Sequence, residues 1–174
     1  MTSPGPSAPL LVVDGDSLLH RAFHALPPIP GEGGRPVNAL LGLLNMLFTV
    51  WDAERPRAVA VALDSRERGP RHELWPSYQG QRDAFDPAII EQLDAAADLL
   101  GAFGIPAPKV PPHEADDVLA TLATLEEAAG GTAIVLTSDR DAYQLVSDAV
   151  LVVRPGGSGV RELERVDAEG VRER

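Results

Sequence analysis

LLVVDGDSLLHRAFHA (residues 10–25) and AIVLTSDRDAYQL (residues 133–145) carry the same syntax twice. A short apolar run comes first, Leu10–Val13 in one case and Ala133–Thr137 in the other, and aspartates follow at once. A run of that length bounded by turn residues reads as a buried strand. Ser17 is placed to cap a helix through about Ala25, and Ala142–Leu145 reads as a short helix. A third run, Arg57–Leu63 (RAVAVAL), also ends on an acid, Asp64. Between these runs lie segments of helical spacing. Val37–Trp51 sets Leu40, Leu44, Leu47, Phe48 and Trp51 on one side. Pro87–Phe103 turns Ile90, Leu93, Ala97 and Leu100 inward, and Glu114–Ala128 does so with Val118, Leu119, Leu122 and Leu125. Ile105–Val110 reads as a weak strand and Val150–Val153 as a further one. Strands alternating with helices at this spacing imply βαβ units, hence an α/β fold on a mostly parallel sheet.

The composition bounds the chemistry. The chain has 174 residues, suited to one domain with a full core. With no cysteine, disulfides, thiolate metal sites and cysteine nucleophiles are excluded. No apolar run reaches the roughly 18 residues of a membrane helix, and MTSPGPSAP is no secretory signal. The expectation is therefore a cytoplasmic chain with no membrane partner. Residues 1–9 read as a disordered tail, and the segment after Pro155 as charged and without core residues. The net charge of −11 argues, taken alone, against a nucleic-acid binder.

The acids explain that charge. Asp14, Asp64 and Asp139 follow strands, Asp141 lies two residues further on, and Glu114, Asp116 and Asp117 open a helix. Ligands in open α/β sheets bind outside the carboxyl ends of the strands, so these acids can share one rim. Each taken singly has a plain explanation as a helix cap or as an acid favouring a helix dipole. Together, unpaired, they would repel one another, and divalent cations relieve that repulsion. Oxygen donors without cysteine or clustered histidine select Mg²⁺ or Mn²⁺, and two such ions about 4 Å apart suit phosphoryl transfer. His20, His24, His72 and His113 are scattered and carry no metal role. From Arg55 to Arg82, six arginines face three acids, with Trp75 and Tyr78 interleaved. Arginine forks grip phosphates and aromatic rings stack on bases.

VVDGDSLLHRAFHA (12–25), Leu63-Asp64, RHELWPSYQGQR (71–82), EADDVLATLA (114–123) and TSDRDAYQLVSD (137–148) together resemble the 5′ nuclease family. That family includes the 5′→3′ exonuclease domain of bacterial DNA polymerase I and the flap endonucleases. The resemblance runs from about Leu10 to Val171. It implies a PIN-like, three-layer α/β domain over residues 10–154, with a helical arch above a two-metal site. It implies that Asp14, Asp64, Glu114, Asp116 and Asp117 hold a first ion, directly or through water, and that Asp139 and Asp141 hold a second. Tyr78 and Arg82 would lie in the arch near the substrate's 5′ end, preceded by Arg71, with Arg21 a basic residue near the site. The implied reaction is hydrolysis of DNA phosphodiesters at a 5′ end or flap, with two Mg²⁺ or Mn²⁺ ions, in replication or repair.

Two departures stand out. Gln79 occupies the lysine position of a Tyr-Lys-x-x-Arg pattern, removing a cation, and Leu63 replaces a common phenylalanine. The family also continues into a helix-hairpin-helix domain that grips duplex DNA, which residues 155–174 would lead into. Two alternatives remain open here. One is a catalytically weak PIN-like nucleic-acid-binding domain. The other is a haloacid-dehalogenase-like phosphatase using Asp14 and Asp16, with Lys109 as its lysine.

Overall fold

The computed structural model describes residues 8–65, 67, 69–78, 86–156 and 162–173. Among them the chain runs β1 (Leu10–Asp14), α1 (Gly15–Ala25), α2 (Asn38–Glu54), β2 (Ala58–Ala62), α3 (Pro70–Leu74), α4 (Pro87–Ala102) and α5 (Ala115–Ala128). It continues with β3 (Ala133–Leu136), β4 (Val150–Pro155), β5 (Leu163–Val166) and α6 (Ala168–Arg172). Two 3₁₀ turns, Glu32–Gly34 and Asp141–Leu145, complete it.

The strands form a sheet in the order β2-β1-β3-β4-β5, five strands among the described residues. β1 pairs in parallel with β2 on one side and with β3 on the other, and β3 pairs in parallel with β4. β5 returns antiparallel along β4. The fold class expected from the sequence is the one observed.

Alternation along the strands explains the three layers. Leu11, Val13, Val59, Val61, Ile134 and Leu136 face one side, where they meet α1, α2 and α4. Val12, Ala62, Ala133, Val135, Val150 and Val152 face the other side, where α5 covers them. The β1, β3 and β4 residues that pair with one another are buried except Leu10 and Leu151, as expected of strands covered on both faces. Burial of this kind is worth about 25 cal/mol per Å² of apolar surface.

Several local expectations are corrected. Asp14, not Ser17, caps α1: its carboxylate accepts the Ser17 amide at 3.0 Å. The acid sits immediately before the first helical residue and so reaches the free amide of the third, the usual partner of a capping side chain. α2 has no side-chain cap from Val37; Gln92 of α4 instead accepts the Ala39 amide at 2.8 Å. The buried stripe of α2 is Ala39, Leu43, Met46, Leu47 and Val50, while Phe48 is 40% exposed. In α4 it is Ile89, Gln92, Leu93, Ala96 and Leu100, one residue earlier at two positions than the spacing suggested. Leu125 of α5, expected inward, is 61% exposed.

Residues 105–110 form no strand. Their carbonyls accept the amides of Val61 and Leu63 at Pro106 and Pro108, but proline returns no N–H, so a ladder cannot form. The segment after Pro155 is not coreless either. It holds β5, and Val166 is fully buried.

Candidate metal centre

Asp14 and the residues just beyond β2 and β3 stand at the carboxyl edge of the sheet, where β1 separates a crossover to β2 from one to β3. That is the switch point at which such sheets bind ligands. Asp14 is only 4% exposed. Its two oxygens are both engaged, Oδ1 by the Ser17 amide at 3.0 Å and Oδ2 by the Thr137 hydroxyl at 2.7 Å. Burial nevertheless dominates and pushes its carboxyl up to about 7, with Asp116 and Asp16 adding repulsion.

Gly15 lets α1 start this close to β2. A methyl group there would lie 2.5 Å from Leu63 Cδ2 and 2.9 Å from Val61 Cγ1. The approach brings Asp16 onto the end of β2, where its Oδ2 accepts the Asp64 amide at 2.8 Å. Asp64 in turn accepts the Ala115 amide at 2.7 Å through Oδ1, binding the first turn of α5 to the rim. The α1 turn, the β2 end and the α5 start are thus joined by two carboxylates.

α5 presents its acids from a capping arrangement in which the Glu114 amide donates to Asp117 Oδ2 at 3.0 Å. Asp116 projects from the same turn. Its carboxyl is raised to about 6 by burial first, then by repulsion from Asp139, Asp64 and Glu114. Those four groups therefore share one electrostatic environment. Asp139 accepts the Asp141 amide at 2.9 Å and is itself tied by its own amide to the Thr137 hydroxyl at 3.0 Å.

Asp117 faces differently. Arg71 reaches it with both terminal guanidinium nitrogens, at 2.8 and 2.9 Å, and lies 3.4 Å from Glu114 Oε2. This fork, the strongest geometry for an arginine–carboxylate pair, holds the Asp117 carboxyl below its ordinary range. Tyr78 donates its hydroxyl to Glu114 Oε2 at 3.1 Å. Gly69 permits this docking. A methyl group there would lie 2.3 Å from the Pro112 carbonyl oxygen, just ahead of α5.

Of the residues expected at the site, Asp14, Asp64, Glu114, Asp116 and Asp139 come together. Asp117 joins through Arg71, and Asp141 lies exposed at the start of its 3₁₀ turn. Arg71 and Tyr78 stand on the acidic rim. Arg21 lies half-buried on α1. Gln79 and Arg82, with much of the expected arch, fall outside the described residues. Among the described residues, no group of three or more His, Asp or Glu side chains is already arranged around a metal position. Several of the acids are engaged by amides, a hydroxyl and a guanidinium. The donor set still fits a divalent ion: it is hard oxygen only, and two of its carboxyls carry the burial and repulsion that a cation would relieve.

Sequence reasoning passed over Asp16 as a support for Asp64, and over Thr137. The Ser17 and Ser138 hydroxyls, hydrogen-bonded to each other between α1 and the β3 end, were also missed. Only Asp16 left a trace, as a second acid in the first turn.

Residues 9–174 match the family described as 5′-3′ exonuclease, N-terminal resolvase-like domain. The chain belongs to this family. It is 41% identical over 167 residues to DNA polymerase I of Mycobacterium tuberculosis, covering 95% of this chain and 18% of that protein. It is 36% identical over 157 residues to a 5′-3′ exonuclease of Aquifex aeolicus, covering 90% of this chain and 54% of that one. The chain thus spans from under a fifth to about half the length of these two relatives. In fold it is similar to the bacteriophage T5 flap endonuclease solved with DNA and metal ions. The TM-score is 0.67 at 21% identity, over 88% of this chain and 56% of that one. Family membership displaces the phosphatase alternative. No helix among the described residues is long and apolar enough to cross a membrane.

Proposed function

We propose that this chain is the catalytic domain of a divalent-metal-dependent 5′-3′ nuclease acting on DNA with a 5′ end or flap. The observation that carries the reading is the coupled acid cluster at the sheet's switch point. There Asp14 and Asp116 are both held well above the ordinary carboxylate range by burial and by their neighbours. The mutual repulsion within such a cluster is what a bound cation would relieve.

Asp14, Asp64, Glu114, Asp116 and Asp117 would hold a first Mg²⁺ or Mn²⁺, directly or through water, and Asp139 with Asp141 a second. When bound, such ions supply Lewis-acid charge for the scissile phosphate and acidify water for in-line attack. The protein's own groups do the rest. Asp16 and Thr137 hold Asp64 and Asp14, two of the acids that would bind the ions. Arg71 stands at the rim, where its fork can pass from Asp117 to a phosphate of similar geometry. Tyr78 sits beside it, and Arg82 extends the same basic segment. Arg21 on α1 adds a further cation near the site. The catalytic unit would run from residue 10 through β5, whose Val166 is buried in the same core, rather than end at residue 154.

The test is incubation of labelled 5′-flap, nicked and single-stranded DNA with this chain in Mg²⁺ or EDTA. Cleavage in Mg²⁺ that is lost in EDTA, and lost in Asp116→Asn, is expected. Equal cleavage by Asp116→Asn would remove the proposed site. The glutamine at position 79 favours a second reading, a nucleic-acid-binding domain of weak activity. Under it the same assay gives a mobility shift without product.

A further inference from the structure

Thr137 is fully buried at the carboxyl end of β3. Its hydroxyl makes two hydrogen bonds of opposite sense. It donates to Asp14 Oδ2 at 2.7 Å and accepts from the Asp139 amide at 3.0 Å. A hydroxyl has one proton, and an amide can only donate, so that proton is committed to the carboxylate. β1 and β3 are hydrogen-bonded neighbours whose last register pair is Val13 with Leu136. The threonine therefore continues the contact one residue beyond the ladder, joining the two strand ends through side chains, with the Ser17–Ser138 pair as a second tie.

The consequences reach both groups of acids. With Oδ1 on the Ser17 amide and Oδ2 on Thr137, the Asp14 carboxylate cannot rotate about its last bond without losing a partner. On the other side, the Asp139 carboxylate accepts the Asp141 amide, so a fixed Asp139 backbone also fixes the turn that carries Asp141. This buried oxygen links the first strand-end acid directly to the Asp139–Asp141 pair, beside the Ser17–Ser138 hydrogen bonds that span the same gap.

We propose that Thr137 is a positioning residue for divalent-cation binding, whose hydroxyl holds Asp14 and the Asp139–Asp141 turn at the spacing that fills both ion positions together. This rests on the metal-dependent reading above. Valine is the informative replacement, because it keeps the β-branched shape and the packing volume while deleting both hydrogen bonds. Serine keeps the hydroxyl and deletes only a methyl group.

The experiment is calorimetric titration of Mn²⁺ into the parent chain, Thr137→Val and Thr137→Ser, with melting curves in EDTA to establish folding. The expected result is a Thr137→Val affinity weakened roughly ten- to a hundredfold, the scale for losing a group that orients metal ligands. Both ions should weaken together, and Thr137→Ser should bind as the parent does. A purely structural role would lower the melting temperature in EDTA and leave the affinity of the folded chain unchanged. Parent-like Mn²⁺ affinity in folded Thr137→Val overturns this inference and leaves the metal reading standing. No Mn²⁺ binding by the folded parent overturns both. Where the valine variant does not fold, Thr137→Ala takes its place, since it deletes the same hydroxyl: a loss of tenfold or more supports the role of the hydroxyl, and parent-like affinity overturns it.

Discussion

Replacing Asp14 by asparagine should stabilise the metal-free chain in alkaline solution and weaken its response to metal. The parent carboxyl moves from an ordinary 3.8 to about 7 on folding. A raised carboxyl contributes fully below its unfolded value, and its contribution declines as pH rises, levelling off above its folded value. The window is therefore about pH 4 to pH 7. At about 1.4 kcal/mol for each pH step, the whole decline is roughly 4 kcal/mol, of which about 3 falls between pH 5 and pH 8. Asparagine has no such titration. It carries a fixed cost instead, because its amide cannot accept both the Ser17 amide and the Thr137 hydroxyl. That cost is about 1–3 kcal/mol and does not change with pH. The quantity to measure is therefore the change in the difference between variant and parent, by urea denaturation in EDTA at pH 5, 6.5 and 8. It should shift in favour of the variant by about 3 kcal/mol across that range. Saturating Mn²⁺ at pH 8 should then stabilise the parent more than the variant, since a ligand that binds only the folded state adds to its stability and the variant lacks one of the acids that would hold the ions. A difference that is constant with pH would refute the claim that burial of this carboxyl sets its proton affinity.

Three other expectations are more local. Arg71→Ala should cost no more than about 1 kcal/mol, because the pair is partly exposed and screened. It should also let the Asp117 carboxyl titrate at higher pH. A depressed carboxyl loses its contribution as pH falls, so acid unfolding should begin at higher pH than in the parent, as followed by circular dichroism and carboxyl-detected NMR. Gly69→Ala should force the 69–78 segment off the Pro112 carbonyl, 2.3 Å from the added methyl. The same upward move of the Asp117 titration should follow, with Arg71 intact. Gln79→Lys should raise the rate of Mg²⁺-dependent cleavage in the flap assay by restoring a cation beside Tyr78. An unchanged rate would place that side chain away from the phosphate.

What the sequence discloses about the site follows from where the information sits. Asp14, Asp64 and Asp139 are legible because each directly or nearly follows an apolar run, and the sheet rule carries them to one edge. Thr137 and Asp16 are not, because what they do depends on partners 123 and 48 residues away. Thr137 reads as the polar end of a strand, and no local pattern marks its hydroxyl as bound on both sides. β5 was hidden for another reason. An edge strand needs apolar residues on only part of its surface, and in Leu-Glu-Arg-Val the charged pair masks a terminal valine that is fully buried. The inward stripes of α2 and α4 were displaced because their spacing admits neighbouring phases. Which phase wins is set by the partner helix, as Gln92 at the start of α2 illustrates. Gly15 and Gly69 belong to the same class, since each is defined by an atom from a distant segment.

The proline-bearing run at 105–110 has a consequence for how the molecule avoids its own kind. β2 is the outermost strand on its side of the sheet, and an outermost strand with free amides recruits strands from other chains. Here the Val61 and Leu63 amides are already taken by the Pro106 and Pro108 carbonyls. The run that takes them offers no amide at either proline, so it extends the pairing by one row and then ends it. Its continuation delivers Glu114 to the rim. The same few residues that bring an acid to the site thus seal the sheet against aggregation through that edge.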